Sequence, residues 1–162
     1  MNLKLISLAL LVLSISQLAV AMEKKVSVSV KPLAFEQVMD AIERGDGLKV
    51  VQDFIMAGGN VNQYSKYGTT FLHKACFANK QAIVEKLIEN GANVNLPDEE
   101  FNGAPLHYAA LAGHANIVRL LVENGADINH KDNCKQTALE RAASTEVKKI
   151  LAQEAKRQRE IR

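Results

Sequence analysis

Apolar residues recur at three- to four-residue intervals in short segments of the chain, the spacing of one face of an α-helix. Residues 105–112 predict one such helix, and residues 116–124 predict a second. Gly113 and His114 break the chain between them, and Gly125 predicts the left-handed residue that follows a helix end. Because helices this short cannot bury an apolar face alone, the pattern predicts helix pairs stacked in series.

A second pattern is an internal repeat. Asn62, Asn95 and Asn129 each close a Gly-x-Asx-Val/Ile-Asn segment, and they lie 33 and 34 residues apart. His73 and His107 recur in step, 34 residues apart. A period of this length indicates supersecondary units in an array rather than one irregular core.

These units resemble ankyrin repeats. Residues 69–73 read Thr-Thr-Phe-Leu-His and residues 104–110 read Ala-Pro-Leu-His-Tyr-Ala-Ala, similar to the family's Thr-Pro-Leu-His-x-Ala-Ala start. The resemblance implies an all-α solenoid of helix-turn-helix units joined by β-hairpin-like turns, with two well-formed repeats between degenerate end units. We place the array at 34–155, with its repeats at about 35–67, 68–101, 102–134 and 135–155.

The repeats depart from the family pattern where their first helices begin. Phe71 and Ala138 replace the proline that presets the first turn, and Ala104 replaces the capping threonine. The lost cap predicts a local cost of about 1 kcal/mol. The last repeat fits best with about three residues deleted, which places Val147 on an apolar face and predicts Thr145 as the cap of its second helix.

The first residues indicate export. Lys4 precedes an apolar run at 5–15, and Ala19-Val20-Ala21 has the A-x-A form of a signal-peptidase site. We expect a signal peptide at 1–21, cleavage after Ala21, and a periplasmic or secreted protein without a stable membrane anchor. The signal resembles a bacterial one. A eukaryotic secretory route and an uncleaved anchor helix stay open as alternatives.

Two short segments flank the array. Residues 22–33 alternate between apolar and polar side chains, which predicts an extended lead-in. Residues 156–162 predict a charged helical tail. Cations are favoured at a helix C-terminus, so the tail is expected to be a solvated helix end, with a docking role for anionic partners as the alternative.

Charge and motifs exclude several classes of function. The chain has 20 Lys plus Arg against 18 Asp plus Glu, so its net charge of +2 predicts no general affinity for nucleic acid. No serine lies in a Gly-flanked elbow, and no acid falls in register with a histidine for a triad. The resemblance gives His73 and His107 a structural role, tying a helix start to the neighbouring turn. We therefore expect no enzyme and no cofactor.

The two cysteines suggest a rival function. Cys76 and Cys134 fall in different helix layers, on the order of 15 Å apart, which is too far for a disulfide. We expect a monomer with two free thiols, Cys76 buried and Cys134 exposed. His130 with Cys134, or His73 with Cys76, offers two ligands where zinc requires three or four. A thiol- or metal-dependent function at His130 and Cys134, or self-assembly through Cys134 or the tail, stays the alternative.

The resemblance also implies that a protein partner binds on the concave side, which turn tips and first helices form. The residues placed there are Tyr64, Lys66, Tyr67, Lys74, Phe77, Glu99, Glu100, Phe101, Tyr108, Leu111, Lys131 and Arg141. Five of the eight aromatic residues belong to this set, a concentration that suits a binding hot spot. The alternative is that Phe77 and Phe101 fold back into the core. Asp98, Glu99 and Glu100 make the turn at 96–102 acidic, so it is expected to repel or select a partner by charge.

Overall fold

The computed structural model describes residues 35–45 and 47–161, all of which belong to one compact unit, Leu33–Arg162. The expected signal peptide at 1–21 and the lead-in at 22–33 lie outside the described residues.

The described residues form helices joined by turns, without a strand. The helices are α1 Phe35–Arg44, α2 Gly47–Met56, α3 Phe71–Phe77, α4 Gln81–Glu89, α5 Pro105–Ala112, α6 Ala115–Glu123, α7 Ala138–Arg141 and α8 Thr145–Glu160. The first helices α1, α3, α5 and α7 contact one another in sequence, and so do the second helices α2, α4, α6 and α8. This inner row and outer row make the predicted all-α solenoid.

Local sequence signals set most helix boundaries. Pro105 is the first residue of α5, where its fixed φ suits a helix and its missing N–H leaves no bond unmade. Gly125 follows α6 with a φ of +84°, as predicted. The expected cap at Thr145 is wrong: Ser144 has the extended backbone of an N-cap, and its hydroxyl accepts the Glu146 N–H at 3.2 Å. Thr145 is already helical.

The apolar core lies between the two rows of helices. Leu72 and Leu106 reach it from the inner row, and Leu87 and Leu121 reach it from the outer row. The end units close the core at both sides: Val38 and Ile42 are buried in the first repeat, and Leu151 is buried in the last together with Val147, whose apolar position was predicted. Helix α8 then continues without a break into the charged tail.

Three phenylalanines explain one departure from the family pattern. The Phe71 ring, in the position of the usual proline, stacks on Phe35 at 4.1 Å between centroids and meets Phe54 edge-on at 5.1 Å. Phe71 is fully buried. Aromatic pairs of this kind add about 0.5–1.5 kcal/mol beyond the burial of area. Phe71 therefore binds the irregular first repeat to the second.

Asparagine side chains fix the register between repeats. Asn62 donates to the Gly91 carbonyl at 2.9 Å and accepts the Asn93 N–H at 2.7 Å. One repeat further on, Asn95 makes the same two bonds with Gly125 and Asp127. Each amide thus satisfies one donor and one acceptor of the next turn, so a repeat cannot slide without breaking both bonds.

The histidines of the repeat motif join helix starts to the next turn, as the resemblance implies. His73 Nδ1 accepts from the Thr70 N–H at 3.2 Å and from the Thr70 hydroxyl at 2.9 Å, while Nε2 donates to the Gly103 carbonyl at 3.1 Å. His107 makes only the bond to the next repeat, in which Nε2 donates to the Gln136 carbonyl at 3.2 Å. Its buried Nδ1 has no hydrogen-bond partner, and the hydroxyl that Thr70 supplies to His73 one repeat earlier is missing at Ala104.

Ala104→Thr is expected to raise the free energy of unfolding by about 1 kcal/mol, since its hydroxyl would donate to the unpaired nitrogen of His107. Thr70→Ala removes the corresponding hydroxyl in the preceding repeat and should lower the free energy of unfolding by a similar amount. Urea unfolding followed by circular dichroism measures both. Ala104→Ser supplies the hydroxyl without the extra methyl group, and stability at or below wild type in both Ala104 variants would refute this account of the cap.

Candidate functional site

Large apolar side chains are exposed along one side of the inner row. Tyr67, Phe77, Phe101 and Leu111 are 68%, 54%, 53% and 47% exposed, respectively. We call the exposed side of α1, α3, α5 and α7, with the turns that precede them, the inner face. The alternative that Phe77 and Phe101 fold back into the core is wrong. The inner face thus carries four of the seven large apolar side chains that are exposed among the described residues.

A cleft of about 200 Å³ opens on the inner face between the third and fourth repeats. Its lining residues are Asp98, Phe101, Gly103, His107, Tyr108, Leu111, Asp132 and Arg141. Phe101, Tyr108 and Leu111 provide the apolar part of its wall. The structure thereby brings four residues of the predicted binding set together with four residues outside that set.

Asp98 builds the turn that holds Phe101. Its carboxylate accepts the N–H groups of Phe101 at 2.6 Å, Glu100 at 3.0 Å and Gly103 at 2.7 Å. Asp98 is only 3% exposed, so the expectation that its charge faces a partner is wrong. Any Cβ at Gly103 would lie 2.9 Å from the Asp98 carboxylate, so glycine permits the close approach.

Asp132 has the same role in the next turn, and it also binds Arg141. The carboxylate accepts the Cys134 N–H at 2.8 Å and the Gln136 N–H at 3.0 Å, and Arg141 Nε donates to it at 2.6 Å. Desolvation would raise the pKa of Asp132, but these hydrogen bonds outweigh it and hold the pKa below its usual value. Arg141, predicted as a partner contact, is therefore already engaged by a buried carboxylate.

Sequence reasoning missed these buried carboxylates, although a signal was present. Ser65, Asp98 and Asp132 occupy the same phase of the repeat. Ser65 Oγ accepts the N–H groups of Tyr67 at 3.2 Å and Thr69 at 3.3 Å, so a short acceptor closes each turn. Alignment of the repeats at this position would have predicted that all three residues form turns.

The tyrosines of the predicted set differ in how far they are exposed. The Tyr64 hydroxyl donates to the Pro97 carbonyl at 2.9 Å. Half-buried Tyr108 meets the His73 ring edge-on at 5.1 Å, and burial together with the Asp98 carboxylate raises its pKa to about 12. Tyr67 is the most exposed of the three, with Lys66 Nζ 4.9 Å from its ring centroid.

The remaining predicted residues are charged. Lys74 forms an ion pair with Glu43 of α1. Lys131, Glu99 and Glu100 are exposed at turn tips. The backbone N–H of Glu99 donates to the Gly68 carbonyl at 3.0 Å, which ties neighbouring turns together.

Both thiols are free, Cys76 buried and Cys134 exposed, as predicted. Burial raises the pKa of Cys76, so this thiol stays protonated. His130 Nε2 donates to the Asn102 carbonyl at 2.8 Å, and its ring meets His107 edge-on at 5.6 Å. Within the part of the chain that the structure describes, no three His, Cys, Asp or Glu side chains come together to hold a metal ion.

Short helix pairs, stacked in two rows with projecting turns, define a repeat solenoid with an extended interaction surface. A family model described as ankyrin repeats (3 copies) matches residues 38–132 and, in an overlapping match, residues 100–159. The chain belongs to this family of ankyrin-repeat proteins, whose repeats are generic protein–protein interaction modules. Among the described residues, no helix has both the length and the apolar composition that crossing a membrane requires.

Between pH 7 and pH 5, the free energy of unfolding is expected to fall. Burial lowers the pKa of folded His73 from 6.5 to about 4, and it lowers the pKa of His107 as well. The unfolded chain therefore binds more protons in this window, and stability decreases as the pH falls. His73 alone should account for about 2 kcal/mol.

Urea unfolding at pH 7, 6 and 5 measures this dependence. His73→Gln keeps a side-chain acceptor for the Thr70 N–H but cannot titrate, so its stability should vary less with pH. An equal pH dependence in the variant and the wild type would contradict the assignment to His73.

Proposed function

We propose that the chain is a non-enzymatic binding protein that recognises a partner protein through its inner face, with the cleft between the third and fourth repeats at the centre of the contact. The observation that carries this proposal is the apolar wall of that cleft. Phe101 and Leu111 are about half exposed there, beside half-buried Tyr108. Aromatic anchors that become fully desolvated on binding contribute most of the energy of an interface.

The inner face has the extent that a specific complex needs. It runs along four inner helices and their turns, from α1 to α7. A standard interface buries about 800 Å² on each partner, with a few anchors surrounded by near-neutral contacts. Tyr67 and Phe77 extend the apolar surface towards the second repeat, so a partner could contact at least two repeats beside the cleft.

The environment of the histidines supports binding rather than catalysis. His73, His107, His114 and His130 each direct Nε2 at a backbone carbonyl of another turn or helix end. A general base needs a ring nitrogen that can reach a substrate proton. These rings instead connect repeats.

We also propose that binding takes place outside the cytoplasm, in the periplasm or after secretion. The support is the sequence alone: an apolar run at 5–15 and the Ala19-Val20-Ala21 site. On this proposal, the partner is expected in the compartment to which the chain is exported.

Phe101→Ala with Leu111→Ala should weaken partner binding by about 2 kcal/mol or more, roughly 30-fold, because both side chains belong to the apolar anchor. The partner is first captured from the native compartment, and its affinity for each variant is then measured by calorimetry. Met56→Ala with Ile161→Ala is the matched control, since both residues are large, apolar and exposed outside the inner face. Unchanged affinity in the inner-face variant, with an intact circular-dichroism spectrum, would refute the proposed site.

Export is tested on the full chain in its native host. The mature protein should begin at Met22 in the exported fraction, as intact mass and N-terminal sequencing would show. Ala21→Arg places a large charged residue where a small one is required and should block processing. Recovery of the unprocessed wild-type chain in the cytoplasm would contradict export.

A further inference from the structure

We propose that the inner-face cleft accepts one apolar side chain of the partner, and that Glu99 and Glu100 bind a lysine or arginine next to it. The recognised feature is then a short apolar–basic element on the surface of the partner. This inference rests on the proposed function and specifies the chemistry of the partner.

The size of the cleft favours a single side chain. Its volume of about 200 Å³ is below the range of roughly 300–1,000 Å³ that small-molecule sites occupy. Its apolar wall comes from Phe101, Tyr108 and Leu111, while the carboxylate of Asp98 already accepts three backbone N–H groups. An aliphatic or aromatic side chain would replace water against this wall.

The charges around the cleft favour a cation beside that side chain. Two predicted cations of the inner face are already paired in the structure, Arg141 with Asp132 and Lys74 with Glu43. Among the residues that the structure describes, no ion pair engages Glu99 or Glu100. The turn of the third repeat therefore carries two uncompensated negative charges.

Both carboxylates act on the inner face itself. Burial, and then the Glu99 carboxylate, raise the pKa of Tyr64. Glu100 contributes in the same direction to Tyr108, after burial and Asp98. The backbone places the two residues on either side of the turn: the Glu99 N–H donates to the Gly68 carbonyl of the preceding turn, and the Glu100 carbonyl accepts from Asn133 of the following turn at 3.0 Å. Glu100 directly precedes Phe101, which lines the cleft. A partner cation there would gain attraction that depends on salt concentration.

A peptide-display selection on the purified chain tests the inference. Peptides that bind the wild type should be enriched in an apolar residue adjacent to Lys or Arg. The same selection on the Glu99→Gln, Glu100→Gln variant should keep the apolar residue and lose the basic enrichment. Asp53→Asn with Glu123→Gln is the matched control, because it makes the same change in net charge on the outer row.

The selected peptide is then synthesised, and its affinity is measured at about 50 and 300 mM salt. The Glu99, Glu100 variant should bind about three- to tenfold more weakly at low salt and lose most of the salt dependence, while the outer-row control should match the wild type. Phe101→Ala should weaken binding about tenfold at both concentrations.

The outcomes separate this inference from the proposed function. Peptides that require Phe101 but show no basic preference, or that bind the Glu99, Glu100 variant as well as the wild type, overturn the charge assignment and leave the binding face in place. Peptides that bind equally well to Phe101→Ala overturn both. Enrichment of acidic residues would also overturn the charge assignment, because the selected peptides would then carry the opposite charge to the one expected.

Discussion

The structure depends on the stacking of helices that are too short to be stable alone. Helices α3 to α6 have seven to nine residues each, whereas an isolated helix needs roughly 12–15 to be even marginally stable in water. Their apolar faces merge into one buried cluster that runs from Val38 to Leu151. Every repeat therefore owes its stability to the repeats beside it.

Apolar contacts between stacked repeats contribute stability but do little to fix how the repeats align. Polar side chains fix this alignment. Asn62 and Asn95 bond the backbone of the next turn, and His73 and His107 bond a carbonyl one repeat away. The same principle shapes the site. Asp98 turns its carboxylate inward to collect three N–H groups, and this leaves Phe101 pointing outward. The exposed aromatic on the turn is a consequence of the buried carboxylate beneath it.

The sequence was sufficient to predict the fold because the apolar spacing and the repeat motif are local features that recur from one repeat to the next. Helix α5 was predicted at its observed bounds, and α6 lies within one residue of its prediction. The predictions that failed depend on which atoms meet within a turn or at a helix start. Asp98 looked like a surface charge because a one-dimensional pattern does not show which N–H groups a carboxylate can reach. The cap at Ser144 was missed by one residue, since a deletion made the register of the last repeat ambiguous.

Two departures from the repeat pattern have opposite physical consequences. Phe71 fills the junction between the first and second repeats with stacked rings, whereas Ala104 leaves Nδ1 of His107 without a hydrogen-bond partner at the start of α5, within the third repeat. The cleft between the third and fourth repeats opens beside this helix start, and His107 is part of its lining. Because energetic coupling in a solenoid reaches mainly the adjacent repeats, the cost at Ala104 is confined to the third repeat and its neighbours. The stack can thus keep a less well satisfied helix start at the site, while the well-packed first two repeats preserve the fold.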